Sequence, residues 1–246
     1  MSTLLEALKT ERGRHVAGAV FLSGLSAMFL FCGYEFVRSP AESIFIERFG
    51  AGAKPYAIAC VPFMMAAMIY GYGRMLSAWG AKRAMAVSML FSALFFLAAW
   101  AFLGKAGSWL AFLLLVFKES YVVIISEQYW SFINSVLKDD EGKVFNGPVA
   151  GLGALGSLIG GWLLGRYAVG FGTEVFLALS GITIIPALLL FWAGYGKAGE
   201  PKPAPEEEGG RQGHLHLSIL AQNRTVLFIA FIIFSAQVVA TALDFR

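Results

Sequence analysis

The sequence predicts an all-α, polytopic membrane protein: a six-helix transmembrane bundle followed by a seventh transmembrane helix. Two observations predict it. Of the 246 residues, 58% are hydrophobic and only 14% are charged. Soluble domains run nearer a quarter charged, so this chain has too little polar surface to cover itself in water. The apolar residues also come in long blocks separated by short charged loops, the pattern left by spans of about 20 residues.

Taken in order, the blocks are Val16–Val37, Pro55–Gly73, Ala84–Leu103, Trp109–Trp130, Pro148–Gly165, Val175–Gly194 and Val226–Leu243. The first exceeds the 7–15 apolar residues of a signal-peptide core and has no small-residue cleavage pattern after it, so it reads as a retained helix. With the N-terminus in the cytoplasm, the cytoplasmic segments hold twelve basic residues, Lys9, Arg12, Arg14, Arg74, Lys82 and Arg83 among them. The opposite side holds six: Arg38, Arg48, Lys54, Lys105, Arg166 and Arg246. That bias predicts an N-terminus inside, and it favours the cell inner (plasma) membrane as the location. Trp109, Tyr129, Trp130, Tyr167, Trp192 and Tyr195 stand near span ends, where aromatic anchors are expected.

The organisation that follows is a cytoplasmic N-terminus (1–15), the six-helix bundle (16–196), a cytoplasmic linker with an interfacial helix (197–223) and the seventh helix (224–246). The linker, KAGEPKPAPEEEGGRQ from Lys197 to Gln212, mixes Pro, Gly and Glu and cannot bury a core. His214 and His216 follow it. At i and i+2 they point to different helix faces, so no metal site is expected there. The first and seventh spans close alike, on Tyr34-Glu35-Phe36-Val37-Arg38 and Leu243-Asp244-Phe245-Arg246. Six helices, a long linker and a repeat of the first helix form the layout of a two-half transporter. On that reading the chain stops one helix into its second half.

Charges inside the spans are the candidate functional residues, because each costs roughly 2.5–3.5 kcal/mol to insert and faces a cavity or a partner. Lys118 and Glu119 lie near the middle of the fourth span. Neighbours on a helix point about 100° apart, so these two are expected to find partners elsewhere. Two readings stay open for them, a midplane polar site and a structural ion pair between helices. Glu35, Arg38 and Glu42, at i, i+3 and i+7, share one helical face. Ser39-Pro40-Ala41-Glu42, however, reads as a capping box with proline at the first helical position. A break at Ser39 would expose a helix N-terminus suited to an anion beside Arg38. A plain Glu35–Arg38 pair in an outer loop is the alternative.

Other signals carry less. Cys32 and Cys60 lie in apolar runs and read as small buried residues. Gly151-Leu152-Gly153-Ala154-Leu155-Gly156 matches G-x-G-x-x-G, but no strand precedes it. Gly147, Gly151, Gly153, Gly156, Gly160, Gly161 and Gly165 read instead as a helix-packing surface, with Gly156-x-x-x-Gly160 as one contact. No nucleophile with a paired base, metal-ligand cluster or phosphate loop in context occurs, so neither an enzyme nor a cofactor is expected. The small net charge of +3 gives no reason to expect nucleic-acid binding.

Three segments together resemble the ATP/ADP translocase family of bacterial endosymbionts and plastids, which has the major facilitator architecture. They are RSPAESIFIERFGAGAKPY (Arg38–Tyr56), the stretch Glu119–Gly161 with Trp130-Ser131-Phe132-Ile133-Asn134 and Asp139-Asp140-Glu141, and Leu243-Asp244-Phe245-Arg246. The loop GRMLSAWGAKR (Gly73–Arg83) is similar to the helix 2–3 loop of major facilitators, with Ser77-Ala78 in place of its acidic–basic pair. The resemblance implies a six-helix major facilitator-like bundle and an anionic nucleotide substrate. It places the transport roles of that family on Arg38 and Glu119, with Glu35, Lys118 and Asn134 completing the expected substrate site. Lys54 departs from the family pattern, which has an apolar residue there. The expected partners are the lipid bilayer and an anionic small molecule, with a homodimer if the short chain is complete. A truncated, non-transporting membrane protein that acts as an assembly partner is the competing class.

Overall fold

A computed structural model describes residues 11–137 and 139–199, together with Arg224, Thr225, Leu227, Phe228, Phe231, Ile232 and Ser235. The chain divides into two compact units, Met1–Pro203 and Ala204–Arg246. The first holds six long helices: α1 (Glu11–Phe49), α2 (Lys54–Trp79), α3 (Ala81–Phe102), α4 (Trp109–Val136), α5 (Asp139–Phe171) and α6 (Thr173–Ala198). Each contains a stretch long and apolar enough to cross a membrane, and the described residues contain no strand. The all-α, multi-pass expectation therefore holds. In the second unit the described positions of the seventh span are helical and mostly exposed. Lys197 and Ala198, expected to open the linker, instead close α6; the linker from residue 200 on, the histidines, the rest of that span and the Leu243–Arg246 repeat lie outside the described residues.

The joints explain the antiparallel order. α2 passes to α3 through Gly80 alone (φ 79°, ψ 168°), and α5 to α6 through Gly172 (φ 83°). A single-residue reversal of this kind needs a backbone region that only glycine enters without strain. The stretch Gly73–Trp79, expected in a loop, is instead the last part of α2. Asp139-Asp140-Glu141 likewise opens α5 rather than forming a loop. Acidic residues suit a helix N-terminus, whose exposed amides carry partial positive charge.

α1 corrects the largest sequence expectation. It does not break at Ser39 but runs unbroken for 39 residues with Pro40 inside, about 58 Å at 1.5 Å per residue. Proline in a helix removes one hydrogen bond and costs about 3 kcal/mol. Burial outweighs that cost here, because Val37, Ala41, Ile44 and Phe45 flank the proline and are all buried. Phe36 adds an edge contact to Phe176 of α6 at 5.3 Å. Capping would have given up that packing for one side-chain bond from the exposed Ser39.

α1 is also the hub of the bundle, packed chiefly on α6 and α5 and also on α4. α3 seats on α6, and α2 lies outermost, held by α4 and α3. Lipid tails are as apolar as leucine, so close backbone approach and interhelical hydrogen bonds hold such a bundle. Gly156 and Gly160 of α5 supply the approach: a Cβ at either would strike the carbonyl oxygens of Met28 and Cys32, at 2.1 and 2.6 Å. Gly153 meets the Phe31 ring, whereas Gly147, Gly151, Gly161 and Gly165 face open space. The packing role expected for the glycines thus holds for one side of α5. Ser26 donates a hydrogen bond to the Ala187 carbonyl of α6 at 2.7 Å. Arg48, near the end of α1, donates to the carbonyls of Leu103, Ala106 and Gly107 at 2.6, 3.3 and 3.2 Å. It thereby closes the C-terminal end of α3 with a positive charge, where one is favoured.

The aromatic residues also sort differently from the sequence expectation. Tyr129 and Tyr195 are buried among Phe132 and Phe191 rather than standing at an interface. Trp109, Tyr167 and Trp192 are exposed near helix ends, as anchors would be.

Candidate functional site

Arg38 lies eleven residues before the end of α1 and Lys118 nine residues into the antiparallel α4. Both therefore sit about 14–16 Å in from the same end of the bundle. On α1 the positions Phe31, Tyr34, Glu35, Arg38 and Glu42 recur at helical spacing and form one stripe. On α4 the half-exposed or exposed positions Glu119, Val123, Ser126, Glu127, Trp130, Ser131 and Asn134 form another.

Three ion pairs occupy this region. Arg38 Nε meets Glu35 Oε2 at 3.1 Å, one turn apart on α1. Glu42 meets Lys54, which reaches across from the start of α2. Lys118 Nζ meets Glu119 Oε1 at 2.5 Å. The last pair corrects the expectation that neighbouring side chains would not neutralise each other. The flexible lysine stem bends the ammonium back to the adjacent carboxylate, and burial leaves it no water to prefer. The Lys118 side chain is 3% exposed, that of Glu119 30%. An unpaired ammonium at that depth would cost several kcal/mol.

Below the pairs, α1 and α4 enclose a narrow cleft lined by Ala27, Leu30, Phe31, Tyr34, Tyr121, Val122, Ile125, Ser126 and Tyr129. It is tight, with room for about one water molecule. The Tyr129 hydroxyl is buried with no hydrogen-bond partner among the described residues. Tyr34 lies in the combined field of Glu119, Arg38, Glu35 and Glu42, and so ties the cleft to the charges.

Of the expected site residues, the fold brings Glu35, Arg38, Lys118 and Glu119 together. Asn134 is exposed and fifteen residues further along α4 than Glu119, about 22 Å away along the axis, so it does not join them. Sequence reasoning missed Tyr34, Glu42's role as the partner of Lys54, and Lys54 as a member of the group. Lys54 had a legible signal, since a cation just past the Gly50 turn lies opposite the last turns of α1. Among the described residues no cluster of His, Cys, Asp or Glu could hold a metal ion. No protein-family model, curated protein or solved structure matches the chain.

Proposed function

We propose that this chain is a secondary membrane transporter, or the first half of one, that moves an organic anion by alternating access. A nucleotide such as ATP or ADP is the leading substrate class. One observation carries the reading. The open face of α4 is mixed, with Glu119, Ser126, Glu127, Ser131 and Asn134 interleaved with Val123 and Trp130 along a membrane-crossing helix. The open faces of α2, α3, α5 and α6 are apolar: Phe63 and Ile69 on α2, Phe91 and Leu94 on α3, Leu158 and Trp162 on α5, and Ile185 and Leu189 on α6. Such a stripe beside paired charges is unfavourable against hydrocarbon and favourable against a water-filled path or a second helix bundle. Arg38, Lys54 and Lys118 give that path three cations for phosphate or carboxylate groups, and their carboxylates hold them in place between substrates.

Alternating access needs a second bundle to rock against, supplied by the rest of a longer protein or by a second copy. The excess of basic residues on one side supports an N-terminus in the cytoplasm and insertion in the cell inner membrane. The resemblance to nucleotide translocases supports the substrate class, through Arg38 and Glu119.

A second reading, a non-transporting membrane protein that serves as an assembly partner, is favoured by one specific observation. Each cation of the cluster is already matched by a carboxylate, as in a purely structural network. Proteoliposome uptake separates the two. Labelled ATP should accumulate in exchange for internal ADP, and Arg38→Gln and Glu119→Gln should change that uptake while inserting normally. Absence of uptake of ATP, ADP and other organic anions would favour the assembly role.

A further inference from the structure

We infer that the outer seam between α3 and α6 holds an acidic phospholipid, its phosphate on Lys82 and Arg83 and an acyl chain on the apolar faces beside them. The two helices pack on each other. They meet at Gly181, where a Cβ would lie 2.9 Å from the Ala93 carbonyl oxygen. They meet again at the start of α3, where Lys82 Nζ stands 4.1 Å from the centre of the Trp192 ring. That contact crosses from α3 to α6 and holds a positive charge over the seam. Arg83, next along α3, is exposed and forms no ion pair among the described residues. The helices around it bring no carboxylate to balance this charge. Neither α2 nor α3 has an Asp or Glu, and Glu174, the one acid of α6, stands at the far end of that helix. The opposite end of the bundle differs, since Arg38, Lys54 and Lys118 each have a carboxylate there.

The surface that runs away from these cations is apolar and about one leaflet long. On α3, Arg83, Val87, Leu90 and Leu94 recur at helical spacing and share an exposed face. On α6, Ile182, Ile185, Leu189 and Trp192 do the same. Both faces border the seam, because Leu94 follows Ala93 and Ile182 follows Gly181 at the close approach. From Arg83 to Leu94 the rise is about 16 Å, against about 15 Å for half the hydrocarbon core of a bilayer. Cations, then an exposed indole, then leucines is the order in which a phospholipid presents its phosphate, its ester region and its chains. A second copy of this chain, docked about a two-fold axis along the membrane normal, would set its own Lys82 and Arg83 against these. A free phosphate would leave Leu90, Leu94, Ile185 and Leu189 unused. An acidic phospholipid matches both parts of the surface.

Native mass spectrometry of the full chain released from detergent tests this, with phosphatidylglycerol or phosphatidylcholine of the same chain length added. Phosphatidylglycerol should persist as a single-lipid adduct at collision energies that strip phosphatidylcholine. The double variant Lys82→Gln, Arg83→Gln should bind it about 25-fold more weakly, each cation contributing about fivefold. Arg166→Gln removes an exposed cation beside Tyr167 elsewhere on the bundle and should leave binding unchanged. Equal retention of the two lipids overturns the inference, as does an adduct that survives the double substitution. Equal loss from Arg166→Gln would show general attraction to charge and overturn it too. Displacement of the lipid by excess glycerol 3-phosphate would reduce the seam to a phosphate site, and a dimer in place of the lipid adduct would assign it to a second copy; either result overturns the proposal. Should the double variant fail to fold, phosphatidylglycerol with a photoreactive diazirine in its chain decides on wild type. Labelling concentrated on Leu90, Leu94 and Leu189 supports the seam, and labelling spread evenly over the exposed faces of α2 and α5 overturns it.

Discussion

Gly156→Ala is the sharpest test of how this bundle is held. The added Cβ would lie 2.1 Å from the Met28 carbonyl oxygen and 2.8 Å from that residue's C and Cα. Ordinary carbon–oxygen contacts run about 3.3 Å or more, so α1 and α5 must separate locally by roughly 1.2 Å. Neither side can yield by a rotamer change, because the obstacle is backbone. α5 has little else to lean on, since its contact with α6 is slight beside its contact with α1. Overpacking of this kind costs about 1–3 kcal/mol. At about 2–4 °C per kcal/mol for a chain of this size, the melting temperature should fall by about 2–12 °C. Gly160→Ala, 2.6 Å from the Cys32 carbonyl oxygen, should cost less. Gly161→Ala, with nothing within 4 Å, should be neutral or stabilising, since alanine is the better helix former. Thermal unfolding of the three variants in one detergent reads the order directly. A Gly156→Ala protein as stable as wild type, or a Gly161→Ala protein as damaged as Gly156→Ala, would refute the packing argument.

Three further perturbations probe the charges. Arg48→Ala should loosen the Leu103–Ser108 connection, read as faster hydrogen exchange and proteolysis there, and Arg48→Lys should restore it only in part because the forked geometry is lost. Glu119→Gln, which leaves the buried ammonium unmatched, should destabilise the protein by about 3–5 kcal/mol, and Lys118→Met, which leaves a carboxylate 30% exposed, by less, while the double variant approaches wild type; additive losses in thermal unfolding would show that the two are not a pair. Glu42→Lys and Lys54→Glu should each lower the melting temperature slightly, as a partly exposed pair contributes at most about 1 kcal/mol. Combined as a charge swap they should recover most of that loss, and no recovery would separate the two residues.

Much of this architecture was legible because the membrane imposes it residue by residue. Runs of about 20 apolar residues have few alternatives in a chain this poor in charge, and the first six expected spans coincide with the six helices, the third overrunning its helix only by Leu103. The failures have a common cause. Local sequence signals carry no information on the burial that competes with them. Ser39-Pro40-Ala41-Glu42 is a sound capping pattern, but Val37, Ala41 and Phe45 around it are wholly buried, and that packing kept α1 continuous. Tyr129 and Tyr195 were placed at an interface by sequence position, whereas their rings fill the space between α4 and α6. Asn134 was grouped with Glu119 by a motif, although helix rise alone puts them about 22 Å apart.

The Lys118–Glu119 pair shows why the remaining uncertainty in a membrane sequence falls on charges rather than on spans. A side-chain direction of 100° per residue describes Cβ atoms, and it forbids a good pair only for side chains too short to bend. Lysine has four methylenes, and in hydrocarbon the cost of leaving its ammonium unmatched exceeds the cost of ordering that stem. The same balance holds at Glu42 and Lys54, where the partner comes from the next helix across a turn. Arg38, Lys54 and Lys118 have thus each taken a neighbouring carboxylate. The arrangement is stable without a ligand, and any anion that enters must compete with a carboxylate already in place.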